Sequence, residues 1–211
     1  MRSTVVLALA FIALVLAAFV FKMTRPVSLD EEALKAQGVI LLPTPREVIL
    51  KGLVDHTGKA FDQSRLEGAW TFMFFGFTNC PDVCPTAMAE LGKAYQSISL
   101  KNPQLAARMR GVLVTVDPQR DTAEKLGQYA TAFAPDFTGV LGSREDIAAF
   151  AVQVNVVFEA VPTGDGGYTV DHTGNIVIFN PHGHYQGFIK MPHAADTIQA
   201  TLTSMVERYE H

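Results

Sequence analysis

The feature that most constrains the fold is a junction. A nearly continuous apolar run, Ala69–Phe77, leads into Thr78-Asn79-Cys80-Pro81-Asp82-Val83-Cys84-Pro85, and an amphipathic stripe follows. An apolar run of this kind, rich in aromatics, predicts a strand covered on both faces. Met88, Leu91, Tyr95 and Ile98 recur at helical spacing, and proline suits a first helical position, so a helix is expected from Pro85. The chain has 2 cysteines, and this order places both on the loop between strand and helix. Each precedes a proline, which disfavours helical backbone at that residue. Cys84 is therefore expected at the N-cap, where the helix dipole favours a thiolate.

The rest of the chain alternates in the same way. Val48–Val54 reads as a strand with a turn at Asp55-His56-Thr57-Gly58, and Gly111–Val116 as a second buried strand. Asp121 and Glu124 resemble a capping box opening a helix through Phe133, and Ser143 opens another to about Asn155. Tyr168–Val170, Gly174–Phe179 and Tyr185–Lys190 read as strands, with a turn at Asn180-Pro181-His182-Gly183, and Pro192–Tyr209 as a closing helix. Strands alternating with helices, then a hairpin and a helix, define an α/β domain with a central sheet over residues 47–211.

Ahead of it lies an uncharged run from Ser3 to Phe21. As a helix, Val5–Phe21 would span about 26 Å, enough to cross a bilayer. Residues 1–22 are therefore expected to be a membrane anchor. The alternative is a signal peptide cleaved near Val15-Leu16-Ala17, although its apolar region would normally be shorter. Arg2 at one end and Lys22 and Arg25 at the other leave the orientation open by charge. Residues 23–46, with charged residues and prolines, read as a tether. Either treatment of the N-terminus carries the domain out of the cytoplasm, where a disulfide is permitted. A net charge of -4 gives no reason to propose nucleic acid as a partner.

Two close thiols have three uses: a structural staple, a redox couple or a metal site. A staple here would close a very short loop and add little through chain entropy. Two sulfurs suit Cu(I) or zinc. Structural zinc takes four ligands, and there is no second cysteine pair, so ligand supply favours copper held by two thiolates and one histidine. Which histidine is not set by the residues alone. His56, His182, His184 and His193 fall in turns or at a helix start, His211 is terminal, and His172 sits at a strand entry. Met88 falls in the apolar stripe and reads as core.

Three phrases together resemble one family. Phe75-Gly76-Phe77-Thr78-Asn79-Cys80-Pro81-Asp82-Val83-Cys84-Pro85-Thr86 is similar to the Cys-Pro-x-x-Cys-Pro segment of the Sco/SenC copper chaperones. Val114-Thr115-Val116-Asp117-Pro118-Gln119-Arg120-Asp121-Thr122 resembles their Asp-Pro-x-Arg-Asp-Thr segment, and Val170-Asp171-His172-Thr173 their Asp-His-Thr/Ser segment. The resemblance implies a thioredoxin-like fold, membrane-anchored by an N-terminal transmembrane helix and facing the bacterial periplasm or the mitochondrial intermembrane space; the lack of an Arg/Ser-rich transit peptide favours the bacterial inner membrane and the periplasm. It implies copper, as Cu(I) or Cu(II), held by Cys80, Cys84 and His172 and delivered to the CuA-bearing subunit of cytochrome c oxidase. Other periplasmic copper carriers or thiol reductants are implied as further partners. Asp82, Asp117 and Asp171 are placed beside the site, as electrostatic neighbours or as turn and cap residues. The competing activity is that of a thiol–disulfide oxidoreductase acting through Cys80 and Cys84 on partner cysteines; a peroxide-reducing enzyme has only the thiols in its favour.

Overall fold

The strand expected at 69–77 is the middle of the domain. In the computed structural model, which describes residues 2–24, 28–164 and 166–209, the chain begins with helix α1 (Arg2–Thr24), short helix α2 (Glu31–Ala36) and strand β1 (Val39–Arg46). There follow β2 (Val54–Asp55), β3 (Trp70–Gly76), α3 (Val83–Lys101), α4 (Pro103–Ala106), β4 (Met109–Thr115), α5 (Ala123–Phe133) and β5 (Thr138–Leu141). Helix α6 (Arg144–Gln153), strands β6 (Phe158–Pro162), β7 (Tyr168–His172), β8 (Ile176–Phe179) and β9 (Tyr185–Ile189), and helix α7 (Ala195–Tyr209) complete it.

Among the described residues, seven strands form one sheet in the order β1-β9-β8-β3-β4-β5-β2, and β6 and β7 form a separate two-stranded sheet. β3, β4 and β5 are parallel neighbours, whereas β8 and β9 return antiparallel. Every residue of β3 is buried, because both of its faces are covered. On one face Phe75 packs on Phe150 of α6; on the other Phe74 meets the rings of His172 and His193. The loops after β3 and β4 therefore emerge side by side at one end of the sheet.

Several expectations are corrected. The supposed tether, 23–46, supplies α2, whose Leu34 is fully buried, and β1, which pairs antiparallel with β9. Pro43 and Pro45 do not prevent this, because β1 is an edge strand and a missing N–H there breaks no ladder. The strand expected at 48–54 shrinks to Val54–Asp55; Val48 and Leu53 still enter the core, but Ile49 bonds through its N–H and carbonyl to the Gln153 side chain instead of a strand. Asp121 does not cap α5: Thr122 does, accepting from the Lys125 amide at 3.2 Å. Strands β5 and β6 lie where the sequence predicts no element. Among the described residues no helix is long and apolar enough to cross a membrane; α1 is 23 residues of helical backbone, and Leu7, Phe11, Ile12, Leu16 and Phe19 on it are exposed.

Candidate metal centre

α3 begins two residues earlier than expected, at Val83, with Asp82 as N-cap. Pro85 permits this because the first-turn amides of a helix have no intrahelical partner to lose. Cys84 is thus inside the first turn rather than at the cap, and it is fully buried. Cys80 stays on the loop, half-buried, its own amide closing a turn onto the Phe77 carbonyl at 3.2 Å. The Cys84 amide donates to Cys80 Sγ at 3.4 Å. Helix start and loop together aim both sulfurs at one point, and both are free thiols.

His172 arrives from the far side of the domain. It ends β7, paired opposite Phe158 in the β6–β7 hairpin. Tyr168, Val170 and His172 point inward, while Thr169 and Asp171 are exposed. The ring stands edge-on to Phe74 and Phe77 at 5.7 and 6.0 Å. Its Nδ1 lies 3.1 Å from the Thr173 carbonyl, which can only accept, so Nδ1 carries the proton. In the neutral ring Nε2 is then a bare lone pair, and it sits 3.4 Å from Cys84 Sγ. Backbone anchoring of the remote nitrogen is the usual way a ligating imidazole is held.

The electrostatics agree. Burial lowers the pKa of His172, opposed by the Thr173 hydrogen bond and the Asp171 charge, so the imidazole is kept neutral. Burial also pushes the Cys84 thiol well up, with Cys80 and the Asp121 charge adding to it. The expected dipole-favoured thiolate at Cys84 is therefore overturned: without a cation nearby Cys84 keeps its proton, and S–H can donate to His172 Nε2. A soft cation that displaces this proton would remove the desolvation cost of the bare thiolate. Sγ of Cys80, Sγ of Cys84 and a ring nitrogen of His172 lie within 4.8 Å of one another, and among the described residues no other group of His, Cys, Asp and Glu does this. Two sulfurs and one imidazole suit a soft, low-coordinate ion.

The other candidates separate. Met88 is core, fully buried. His56 accepts the Gly139 amide at 3.1 Å, His193 donates from Nε2 to the Gly174 carbonyl at 2.8 Å, and His184 lies 3.9 Å from Glu47. His182 packs beside His184 and Tyr209, and His211 lies outside the described residues. Asp82 is exposed and makes no side-chain cap bond. Asp117 is buried, bound by Arg120 and by the Tyr168 hydroxyl at 2.8 Å. Sequence reasoning missed Tyr129 on α5, a buried hydroxyl whose pKa is raised by burial, then by Cys84 and Cys80. It also missed Asp121, which turns inward to accept from Thr78 and Thr115.

Fold and cluster together define a thioredoxin-like domain with a dithiol–imidazole metal centre at one end of its sheet. Comparison with known proteins is specific: the family model described as SCO1/SenC matches residues 52–207, and the chain belongs to that family. A putative copper-binding protein of Stutzerimonas stutzeri is 32% identical over 181 residues, 85% of this chain and 87% of that protein. The human mitochondrial SCO2 homolog is 33% identical over 147 residues; these cover 69% of this chain but 54% of the human protein. The structure of Bradyrhizobium japonicum ScoI with copper bound superposes with a TM-score of 0.65 at 31% identity, covering 76% of this chain and 98% of that one.

Proposed function

We propose that the protein is a copper metallochaperone that holds one copper ion through Cys80, Cys84 and His172 and delivers it to the CuA centre of cytochrome c oxidase during assembly. The observation that carries this is the bare Nε2 of His172, 3.4 Å from Cys84 Sγ and aimed at the dithiol. Family membership and the copper-bound relatives support the choice of metal. The proposal includes a single-pass anchor in a bacterial inner membrane with the domain facing the periplasm; the apolar side chains exposed along α1 are what such an anchor would bury in lipid.

Here copper is cargo, and the geometry suits cargo. Three ligands leave a coordination position free, and Cys80 is the sulfur nearest solvent. An acceptor ligand can enter on that side before the chaperone's ligands leave, so copper passes by ligand exchange without being released into water. Loading requires the Cys84 proton to depart, and oxidation of the pair to a disulfide removes two of the three ligands. The test is copper content of the reduced full-length chain in detergent. One copper per wild-type chain and a large loss of affinity in His172→Ala are expected; unchanged affinity in the variant would refute the ligand set.

A second activity rests on the asymmetry of the thiols. Cys80 is accessible and receives the Cys84 amide hydrogen bond, whereas Cys84 is buried behind it. This is the arrangement of an attacking and a resolving thiol. The Cys80 thiolate would attack a disulfide of the acceptor's copper site and form a mixed disulfide. Cys84 would then expel the second acceptor thiol, so that two electrons pass to the acceptor and the Cys80–Cys84 disulfide remains for an external thiol reductant to reduce. His172→Ala should spare exchange with a model disulfide, which separates the two activities.

A further inference from the structure

The loop after β4 touches both halves of the metal centre, although it contributes no ligand. Residues 117–121 form a tight turn, with the Arg120 and Asp121 amides both bonded to the Asp117 carbonyl at 3.1 and 3.0 Å. Asp121, 3% exposed, faces the cysteine loop. Its carboxylate accepts from the Thr78 amide at 3.2 Å, from Thr78 Oγ1 at 2.5 Å and from Thr115 Oγ1 at 2.7 Å. Thr78 is two residues ahead of Cys80. Asp117 faces the other way, toward β7, and Arg120 reaches β7 while its guanidinium also lies 5.8 Å over the Phe77 ring. Arg120 is ion-paired with Asp117, donates from Nη1 to the Tyr168 carbonyl at 2.9 Å and lies 3.9 Å over the Tyr168 ring. The Tyr168 hydroxyl closes the ring of contacts by donating to Asp117 at 2.8 Å. Tyr168 and His172 are on the same face of β7, because side chains repeat every second residue.

β6 and β7 pair only with each other among the described residues. No main-sheet ladder bond reaches His172 itself; it is tied to that sheet by the three-residue link to β8 and by its ring contacts with Phe74 and Phe77, which leaves the far end of β7 to be fixed by side-chain contacts. We propose that the 117–121 turn is a two-armed clamp that sets the register between dithiol and imidazole: Asp117 and Arg120, through Tyr168, position His172, and Asp121, through Thr78, positions Cys80. These are positioning residues, since none of them touches the metal. This rests on the copper reading above. The pairing is suited to Arg because its planar fork can serve carboxylate, carbonyl and ring together, which a lysine ammonium cannot.

The two arms make opposite predictions in a His172→Ala background. Affinity for Cu(I) is measured by competition with a chromophoric chelator on the reduced full-length chain in detergent. Tyr168→Phe and Arg120→Lys should each weaken binding about tenfold, the lower end of what outer-shell changes cost a metal site. Tyr168→Phe should not weaken it further once His172 is alanine. Thr78→Val, which is milder than any change at buried Asp121, should weaken it in both backgrounds. Equal losses from Tyr168→Phe with and without His172, or no loss at all, would overturn the clamp. A metal-independent measurement separates this from the copper reading. In the metal-free protein Tyr168→Phe should shift the His172 ring resonances and speed amide exchange over 168–172. Unchanged ring resonances and exchange would sink the proposal even if copper binds, whereas a wild-type chain that binds no copper while these signals move would sink only the chaperone reading.

Discussion

The sulfur half and the imidazole half of the centre are built by different means. Cys80 and Cys84 belong to one continuous strand–loop–helix, in which β3 is buried throughout and Cys84 lies under the main sheet's packing. His172 comes from a hairpin outside that sheet, with Thr169, Asp171 and Val161 exposed. A side chain delivered by a close-packed core moves only if the core yields, whereas a hairpin held by a few side-chain contacts can shift by itself. The dithiol is thus the part of the cradle held by the main-sheet core, and the imidazole the part held by a hairpin and by its ring contacts with Phe74 and Phe77.

The largest expected effect breaks the sulfur half. Cys84→Ser should abolish stoichiometric copper binding in equilibrium dialysis with little change in circular dichroism; retained one-to-one binding would place the metal elsewhere. Next, His172→Ala should weaken Cu(I) about a hundredfold, at the upper end of the range for disturbed metal sites, and remove nitrogen scattering from the copper absorption spectrum while thiol exchange persists.

A smaller effect contrasts two glycines. A methyl at Gly76 would lie 3.0 Å from Cys84 Sγ and 2.9 Å from the Phe74 ring, in a core that cannot give way. Gly76→Ala should cost about 1–3 kcal/mol in urea unfolding, as overpacking does, and weaken copper binding. A methyl at Gly174, beside the hairpin, would meet the thioether of Met191 at 2.5 Å, but that side chain is 52% exposed and free to swing away. Gly174 is itself buried, but the atoms a methyl would meet are the far end of a flexible side chain, so Gly174→Ala should cost clearly less than Gly76→Ala. Equal costs at the two positions would erase the distinction between the halves.

The smallest effect concerns pH. His193 holds the Gly174 carbonyl, and burial lowers its pKa, with that hydrogen bond and Glu90 opposing. Below the ordinary value of 6.5 the unfolded chain takes up a proton at this residue that the folded chain refuses. Its contribution to stability is therefore complete above that value and declines as pH falls toward the folded pKa. The metal-free protein should melt lower at pH 5.5 than at pH 7, and His193→Gln should reduce the difference; an unchanged difference would remove His193 from the account.

Much of this was legible locally. The β3 strand, the loop with both thiols, the α3 stripe and the closing helix follow from apolar periodicity and proline placement, which report on neighbours in the chain. The errors share one cause. Asp121 with Glu124 looks like a capping box, yet Thr78 and Thr115 draw its carboxylate inward; residues 39–46 look like a linker, yet β9 gives them a ladder. Cys84 looks like a cap residue with a favoured thiolate, yet burial in the β3–α3 packing dominates its proton affinity.

By itself the sequence determined which groups were available: two thiols four positions apart, prolines that keep their loop open, six histidines, and an apolar stretch ahead of the domain. Only the tertiary structure decided which imidazole meets the sulfurs, because the chain separation of 88 residues between Cys84 and His172 is closed by the return of β7 and not by any local preference. Tertiary packing also decided the charge states there, since a thiol's or an imidazole's hold on its proton depends on how much water and which charges surround it, and both are set by the packing around Cys84 and His172.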